Sequence, residues 1–388
     1  MINWMLHSGL IAFLAFLGFR FVKTELPGWV YWLGLLLKLS AGIVLGLIFY
    51  EYYESGDTIA FFEAAKNLTE VENQPRTQFF LKILRPVVVF TDGSYWITSL
   101  YFSFISFISF WYGLKVLSNL YPDIRWLITI CFLIIPSIVF WSSGIIKDSM
   151  ASAALIVFVV SMIQTYKLKR LLIPDLILIL IGGFILLYVK HYLFITAIIF
   201  SAVLFSLSLY RQLQPKWRFA SILVIFIALV GTQFVHPYLA INRIPWTLQQ
   251  NNQAILEKSD SEDRLNIVLE EDSWTEVISN VPKALHAGLF RPSLFDQTPV
   301  WGWIHRVENF LLIILMMMSI ILFFKKKHKI DWALFVGSLC GILLLAIMLP
   351  LSTPNFGTLV RYKNSYMPYL FLICSVLPYH YFTSQAHK

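Results

Sequence analysis

Trp332-Ala-Leu-Phe-Val-Gly-Ser-Leu-Cys-Gly-Ile-Leu-Leu-Leu-Ala-Ile-Met-Leu-Pro-Leu-Ser352 carries no charged side chain from one end to the other. A helix needs about 20 such residues to cross the hydrocarbon of a bilayer. Inside lipid, only a helix or a closed barrel satisfies every backbone N–H and C=O group. Barrel strands alternate apolar and polar residues, whereas this run is continuous, so it reads as a membrane-spanning helix.

Ten more apolar runs extend outward from it, at about 3–20, 29–49, 95–114, 126–141, 145–165, 171–189, 192–210, 218–235, 304–324 and 363–382. The pattern predicts an all-α polytopic bundle of about 11 transmembrane helices, forming one transmembrane domain over 1–388. The run at 126–141 is short and contains Pro136, and Ser142-Ser143-Gly144 alone separates it from the next. That joint is expected to enter the membrane as a broken element. The composition agrees: 58% of the 388 residues are hydrophobic, 16% aromatic and 13% charged. Soluble domains carry about 25% charged residues, so soluble, disordered and coiled-coil classes are excluded. The net charge is +8, but the basic residues lie in short loops between apolar runs. That is an orientation signal of membrane proteins rather than a nucleic-acid footprint. Cys131, Cys340 and Cys374 all sit in apolar runs without CxxC or Cys/His spacing, which suggests neither disulfides nor a zinc site. Met1-Ile-Asn-Trp-Met-Leu-His7 lacks a basic leader and a small-residue cleavage site, so the first run reads as a span and not a signal peptide.

Two polar segments interrupt the apolar pattern, at about 51–94 and 236–303, and together hold 16 of the 22 acidic residues. Apolar residues recur at helical spacing over 58–68 and 77–84, predicting amphipathic helices at the membrane interface. The stretch 251–279 is helix-prone and acidic. Taking the short loops alternately, one set carries fourteen Lys and Arg and the other four, Lys147, Lys190, Arg361 and Lys363. The positive-inside rule then puts both long segments and the N-terminus outside, and the C-terminus in the cytoplasm, of a bacterial inner (cytoplasmic) membrane. No internal repeat of fixed period is visible.

With that orientation the unusual polar residues collect on the outer side: Asp57, Lys147 and Asp148, Lys190 and His191, Arg291, His305, Arg306 and Glu308, and Arg361 and Lys363. Charges at membrane depth are costly and mark function, so an outward-facing polar cavity is expected. Asp57, Asp148 and Glu308 are the candidate catalytic carboxylates. Lys147, Lys190, His191, Arg291, His305, Arg306, Arg361 and Lys363 are the candidate substrate-binding groups. A carboxylate base activates an acceptor hydroxyl while cations hold a phosphate or pyrophosphate leaving group. Plainer roles exist beside these: Asp57 as a helix cap, Lys147–Asp148 as a local pair, Lys190 and Arg361 as snorkelling cations, and Glu308 as a partner of Arg306 or His305. Trp246, Trp274, Trp301 and Trp303 suit sugar stacking or interface anchoring equally. Lys38, inside the second run, faces a polar crevice or marks a helix break. There is no H-E-x-x-H, G-x-S-x-G or Walker A motif, which argues against a metalloprotease, a lipase-type hydrolase and an ATP-driven pump.

Three stretches carry a family resemblance. Gly56-Asp57-Thr-Ile-Ala-Phe-Phe-Glu-Ala-Ala65 is similar to the G-D-x-x-x-F/Y-F/Y-x-x-A segment in the first outer loop of GT-C-type membrane glycosyltransferases. Pro136-Ser-Ile-Val-Phe-Trp-Ser-Ser-Gly-Ile-Ile-Lys-Asp-Ser149 resembles a stretch of bacterial polytopic proteins linked to polysaccharide assembly. Arg361-Tyr-Lys-Asn-Ser-Tyr-Met-Pro368 resembles the start of the last span in such glycosyltransferases and in repeat-unit polymerases, and Leu289-Phe-Arg-Pro-Ser293 and Glu308-Asn309 are similar to that group too. The resemblance implies a GT-C-like fold, Asp57 as base or metal ligand, and Arg361 as a donor-phosphate contact. It implies a polyprenyl-phosphate-linked sugar, a glycan acceptor and membrane lipids as partners, with no nucleic acid. The need for a divalent metal such as Mg2+ or Mn2+ stays open, as do protein partners in an envelope assembly system.

Three readings follow. The first is a glycosyltransferase or glycan polymerase acting in surface polysaccharide assembly. The second is a transporter or flippase, for which Lys38, Pro136 and Gly182-Gly183 are the hints. The third is a non-catalytic scaffold subunit whose acidic stretch 257–276 binds a partner.

Overall fold

In the computed structural model, residues 2–52, 56–69, 75–235, 240–296, 302–325, 331–366, 368–370 and 372 are described. Among these the chain is helical, with a single isolated bridge, Arg264 to Asn355, and no strand. The helices are α1 (Ile2–Phe21), α2 (Gly28–Leu47), α3 (Asp57–Lys66), α4 (Pro75–Phe90), α5 (Tyr95–Leu120), α6 (Arg125–Leu133), α7 (Pro136–Trp141), α8 (Lys147–Leu168), α9 (Ile173–Val189), α10 (His191–Gln212), α11 (Phe219–Val235), α12 (Ile244–Lys258), α13 (Trp274–Phe290), α14 (Gly302–Lys325), α15 (Trp332–Ser352) and α16 (Phe356–Lys363). Among the described residues seven stretches are long and apolar enough to cross a membrane: Asn3–Phe21, Gly28–Glu51, Tyr95–Leu120, Lys147–Leu168, His191–Gln212, Gly302–Ile321 and Trp332–Ser352. The chain is therefore a multi-pass helical membrane protein. The runs at 171–189 and 218–235 form the shorter apolar helices α9 and α11. The run at 363–382 lies almost wholly outside the described residues.

Two units divide the chain, Met1–Phe194 and Ile195–Lys388. In the N-terminal unit the contacts fix an alternating order. Asn3 reaches Asp92 and His7 reaches Tyr101, while Trp111 Nε1 donates to the Val22 carbonyl at 2.8 Å. So α1 runs parallel to α5. α2 returns, with Tyr31 against Phe107 and Trp111 and Gly46 against Tyr95. The expected span at 126–141 is realised as two pieces, because Pro136 has no N–H to continue α6. α6 and α7 lead back along α5, from Phe132 against Phe110 to Gly144 N–H donating to Ser103 Oγ at 2.9 Å. α8 again parallels α5, and α9 returns along it to the Asp148–Lys190 pair. The turns bearing Arg20 and Lys23, Lys115 and Arg125, and Lys167 to Arg170 thus fall at one end of this unit. Asp57, Lys147, Asp148 and Lys190 fall at the other.

That second end is closed by α3 and α4, the two amphipathic helices expected at 58–68 and 77–84. α4 buries Thr77, Phe80, Leu81, Leu84 and Val88, a single helical stripe, against Phe61, Phe62 and Ala65 of α3 and Tyr95 and Phe102 of α5. Between helices in lipid, close van der Waals packing replaces the hydrophobic drive, so small residues sit at the tightest crossings. A Cβ on Gly182 of α9 would stand 2.8 Å from the Ala154 carbonyl oxygen of α8.

In the C-terminal unit, α13 lies along α15. It buries Val277, Asn280, Ala284, Ala287 and Gly288. At Gly288 a Cβ would come within 2.0 Å of the Ala346 carbonyl oxygen. The acidic stretch expected as helix over 251–279 is helical only to Lys258 and again from Trp274. Its middle instead packs on the end of α15. Leu265 N–H donates to the Pro354 carbonyl at 2.8 Å, and Asn252 Nδ2 donates to the Ile267 and Leu351 carbonyls at 3.1 and 2.8 Å. Asn355 Nδ2 donates to Asp263 at 2.5 Å. Burial pushes the Asp263 carboxyl above the usual range, against hydrogen bonds from Asn355 and the Gly357 N–H.

Candidate functional sites in the two units

In the N-terminal unit the candidate residues are set by helix ends. Ile146 is extended and lacks a side-chain cap, so α8 starts with Lys147 and Asp148 in its first turn. The partial positive charge of a helix start suits a carboxylate there. α9 ends at Val189, and α10 begins at His191, leaving Lys190 as the whole connection. Lys190 N–H still donates to the Leu186 carbonyl at 2.9 Å, so this turn is stiff. Its ammonium donates to Asp148 Oδ1 in an ion pair buried on both sides. Lys147 points the other way. Its Nζ donates to Thr77 Oγ1 at 2.7 Å and lies 4.6 Å from the centre of the Phe61 ring. His191 is buried, with its ring edge-on to Tyr192.

Asp57 is exposed in the first turn of α3. Gly56 before it has φ +152°, a region essentially reserved for glycine, and a Cβ there would be 2.4 Å from the Phe49 ring. The next residue, Thr58, is buried and shares a 2.7 Å hydrogen bond with Tyr95. Asp57 therefore begins the helix that also supplies Phe61 to Lys147. Sequence reading missed Thr77, Thr58 and Tyr95 as polar members of this end. Their signal was present: Thr77 heads the α4 stripe at apolar spacing.

In the C-terminal unit, the end of α13, the start of α14 and the end of α16 meet. Arg291 grips Asp296 with two nitrogens, at 3.1 and 2.6 Å, and Ser293 N–H adds a third donor at 2.6 Å. Burial pushes the Asp296 carboxyl up, but these donors and the Arg291 charge outweigh it and leave it below the usual range. Arg306 donates to the Asp296 carbonyl at 2.9 Å. Lys363 is buried, donating to the Arg291 carbonyl and, at 2.9 Å, to Asn309 Oδ1. Asn309 turns its amide nitrogen to the carbonyls of Phe290 and Pro292 at 2.9 and 3.1 Å. Glu308 and Asp296 also stand within electrostatic reach of Lys363. His305 stands within electrostatic reach of Lys363.

Arg291, His305, Arg306, Glu308 and Lys363 thus form one corner. Arg361 is half-buried two residues before Lys363, its guanidinium 5.9 Å from the Tyr362 ring centre. Asp296 and Asn309 are the polar hubs that sequence reading left out of the site, although Asn309 was part of a resembling motif. Of the tryptophans, Trp246, Trp274 and Trp303 are exposed and Trp301 lies outside the described residues. Among the described residues no three His, Cys, Asp or Glu side chains gather to hold a metal ion.

The chemistry on offer is anion binding. The C-terminal corner brings two guanidinium groups, Arg291 and Arg306, and the Lys363 amine against two carboxylates, one of them already committed to Arg291. Comparison of the chain with known protein families, curated proteins and solved structures finds no match.

Proposed function

We propose that the chain is a GT-C-like membrane glycosyltransferase or glycan polymerase of about eleven spans. It uses a polyprenyl-phosphate-linked sugar on the outer face of a bacterial inner membrane, with the N-terminus outside and the C-terminus cytoplasmic. The observation that carries this reading is the cationic corner at Arg291, Arg306 and Lys363, with His305 beside Lys363, built at the ends of apolar helices. A lipid tail lies along such helices while its phosphates reach the cations. Glu308 takes the proton of the acceptor hydroxyl as its oxygen bonds the anomeric carbon. The bond from that carbon to the phosphate oxygen breaks, and the cations hold the departing lipid phosphate. Asp57 and Asp148 remain the candidate carboxylates of the N-terminal unit. A scaffold would offer the acidic stretch 257–276 as a free arm. That stretch is folded onto the end of α15 through Asn252, Leu265 and Asn355, which speaks for the catalytic reading.

The test is a surface-glycan gel of a strain lacking the gene, complemented with wild type, Glu308→Gln, Lys363→Met or Asp57→Asn at equal protein level. The expected result is a changed glycan in the deletion that wild type restores and Glu308→Gln and Lys363→Met do not. Full restoration by both variants overturns the catalytic role of this corner. Full restoration by Asp57→Asn alone removes Asp57 from the catalytic carboxylates.

A further inference from the structure

Lys38 takes no part in either candidate site, yet it is a fully buried charge within a candidate span. It lies near the middle of the span Gly28–Glu51 and is 0% exposed. An ammonium has three N–H donors, and three oxygens face this one. Nζ donates to Ser106 Oγ at 3.3 Å, to the Ser142 carbonyl at 3.2 Å and to Ser142 Oγ. The Phe110 ring covers it at 4.1 Å from the ring centre, a cation–π contact that gains strength where water is absent. Among the described residues Lys38 forms no ion pair.

Two of the three oxygens belong to Ser142, at the break between α7 and α8, and the third to Ser106 of α5, which packs on that break. There Ser99 Oγ donates to the Gly42 carbonyl at 2.9 Å, Gly144 N–H to Ser103 Oγ at 2.9 Å, and Ser143 Oγ to the Val139 carbonyl at 2.6 Å. Ser99, Ser103 and Ser106 form one face of α5, and that face meets the interrupted backbone. Non-helical backbone is tolerated at membrane depth only where protein groups satisfy it. Unwound carbonyls at such breaks are the kind of oxygen that binds small cations in membrane proteins.

We propose that the α7–α8 break is a monovalent-cation site and that Lys38 fills it as a tethered primary ammonium, which holds the break closed. This assignment concerns the break itself and does not rest on the transferase reading. The side chain beyond Cβ is equivalent to propylammonium, so Lys38→Ala empties a site of that shape.

The experiment follows the melting of the full chain in detergent by tryptophan fluorescence, in propylammonium or tetramethylammonium chloride at equal ionic strength. The second ion has the charge but no N–H donor. Wild type should melt alike in both. Lys38→Ala should melt at least about 5 °C lower in tetramethylammonium, and propylammonium should recover half or more of that loss. Melting of Lys38→Ala at or above the wild-type midpoint, or equal midpoints in the two salts, overturns the proposal. A milder variant covers the case in which Lys38→Ala does not fold. Ser106→Ala keeps the lysine and removes one oxygen, and should lower the midpoint by about 2 °C or more. A Ser106→Ala midpoint equal to wild type overturns the proposal in that case.

Discussion

At the residue scale, the Asp148–Lys190 pair tests how the first candidate site is held. Both side chains are buried, so neither charge can relax into water when the other is removed. Breaking a buried pair on one side costs about 3–5 kcal/mol, whereas replacing both partners is often close to neutral. Lys190→Met should therefore lower unfolding stability by about 3 kcal/mol, and the double variant Asp148→Asn/Lys190→Met should regain most of it. Denaturant titration of the three proteins checks this, and a single variant as stable as wild type would show that the pair does not hold the turn. The candidate residues were legible in the sequence because a charge in an apolar run stands out. Their partners were not, since Thr77 and Asn309 look like ordinary polar residues until folding brings α4 to α8 and α14 to α13.

At the element scale, glycine decides which helices touch. Gly288 lets α13 lie on the backbone of α15, where even a methyl group would meet the Ala346 carbonyl. Gly231 of α11 has nothing within 4 Å of its would-be Cβ. Gly288→Ala should cost about 1–3 kcal/mol through overpacking, while Gly231→Ala should stay within about 0.5 kcal/mol of wild type. Equal effects in a thermal melt would mean that α13 has room to shift. Helix existence was readable from apolar runs, and the α7–α8 break from the short Ser142-Ser143-Gly144 joint, whereas the split of 126–141 into α6 and α7 was not expected. The irregular middle of 251–279 was not readable. Its residues have helical propensity, but Asn252 and Pro354 offer its backbone hydrogen bonds that a helix would forgo, and Asn355, 92 positions beyond Asp263, holds that carboxylate in place.

At the scale of the whole molecule, charge distribution argues for one orientation. In the N-terminal unit the Lys- and Arg-bearing turns at 20–23, 115–125 and 167–170 share an end, and α3, α4 and the Asp148–Lys190 pair occupy the opposite one. This segregation is what alternate loops of unequal charge produce once the helices alternate in direction. Positive turns are retained in the cytoplasm, so the α3–α4 end and its candidate site should open outward. Single cysteines read this directly in intact cells, after Cys131, Cys340 and Cys374 are replaced. Lys66, exposed at the end of α3, and Lys169, exposed between α8 and α9, are suitable positions. A membrane-impermeant maleimide should label Lys66→Cys from outside and reach Lys169→Cys only after the membrane is opened. The reverse pattern would place α3, α4 and the Asp148 site in the cytoplasm. A donor presented on the outer leaflet could not then reach them, and an outer-face role for Asp57 would fall whatever the glycan gel showed for Glu308.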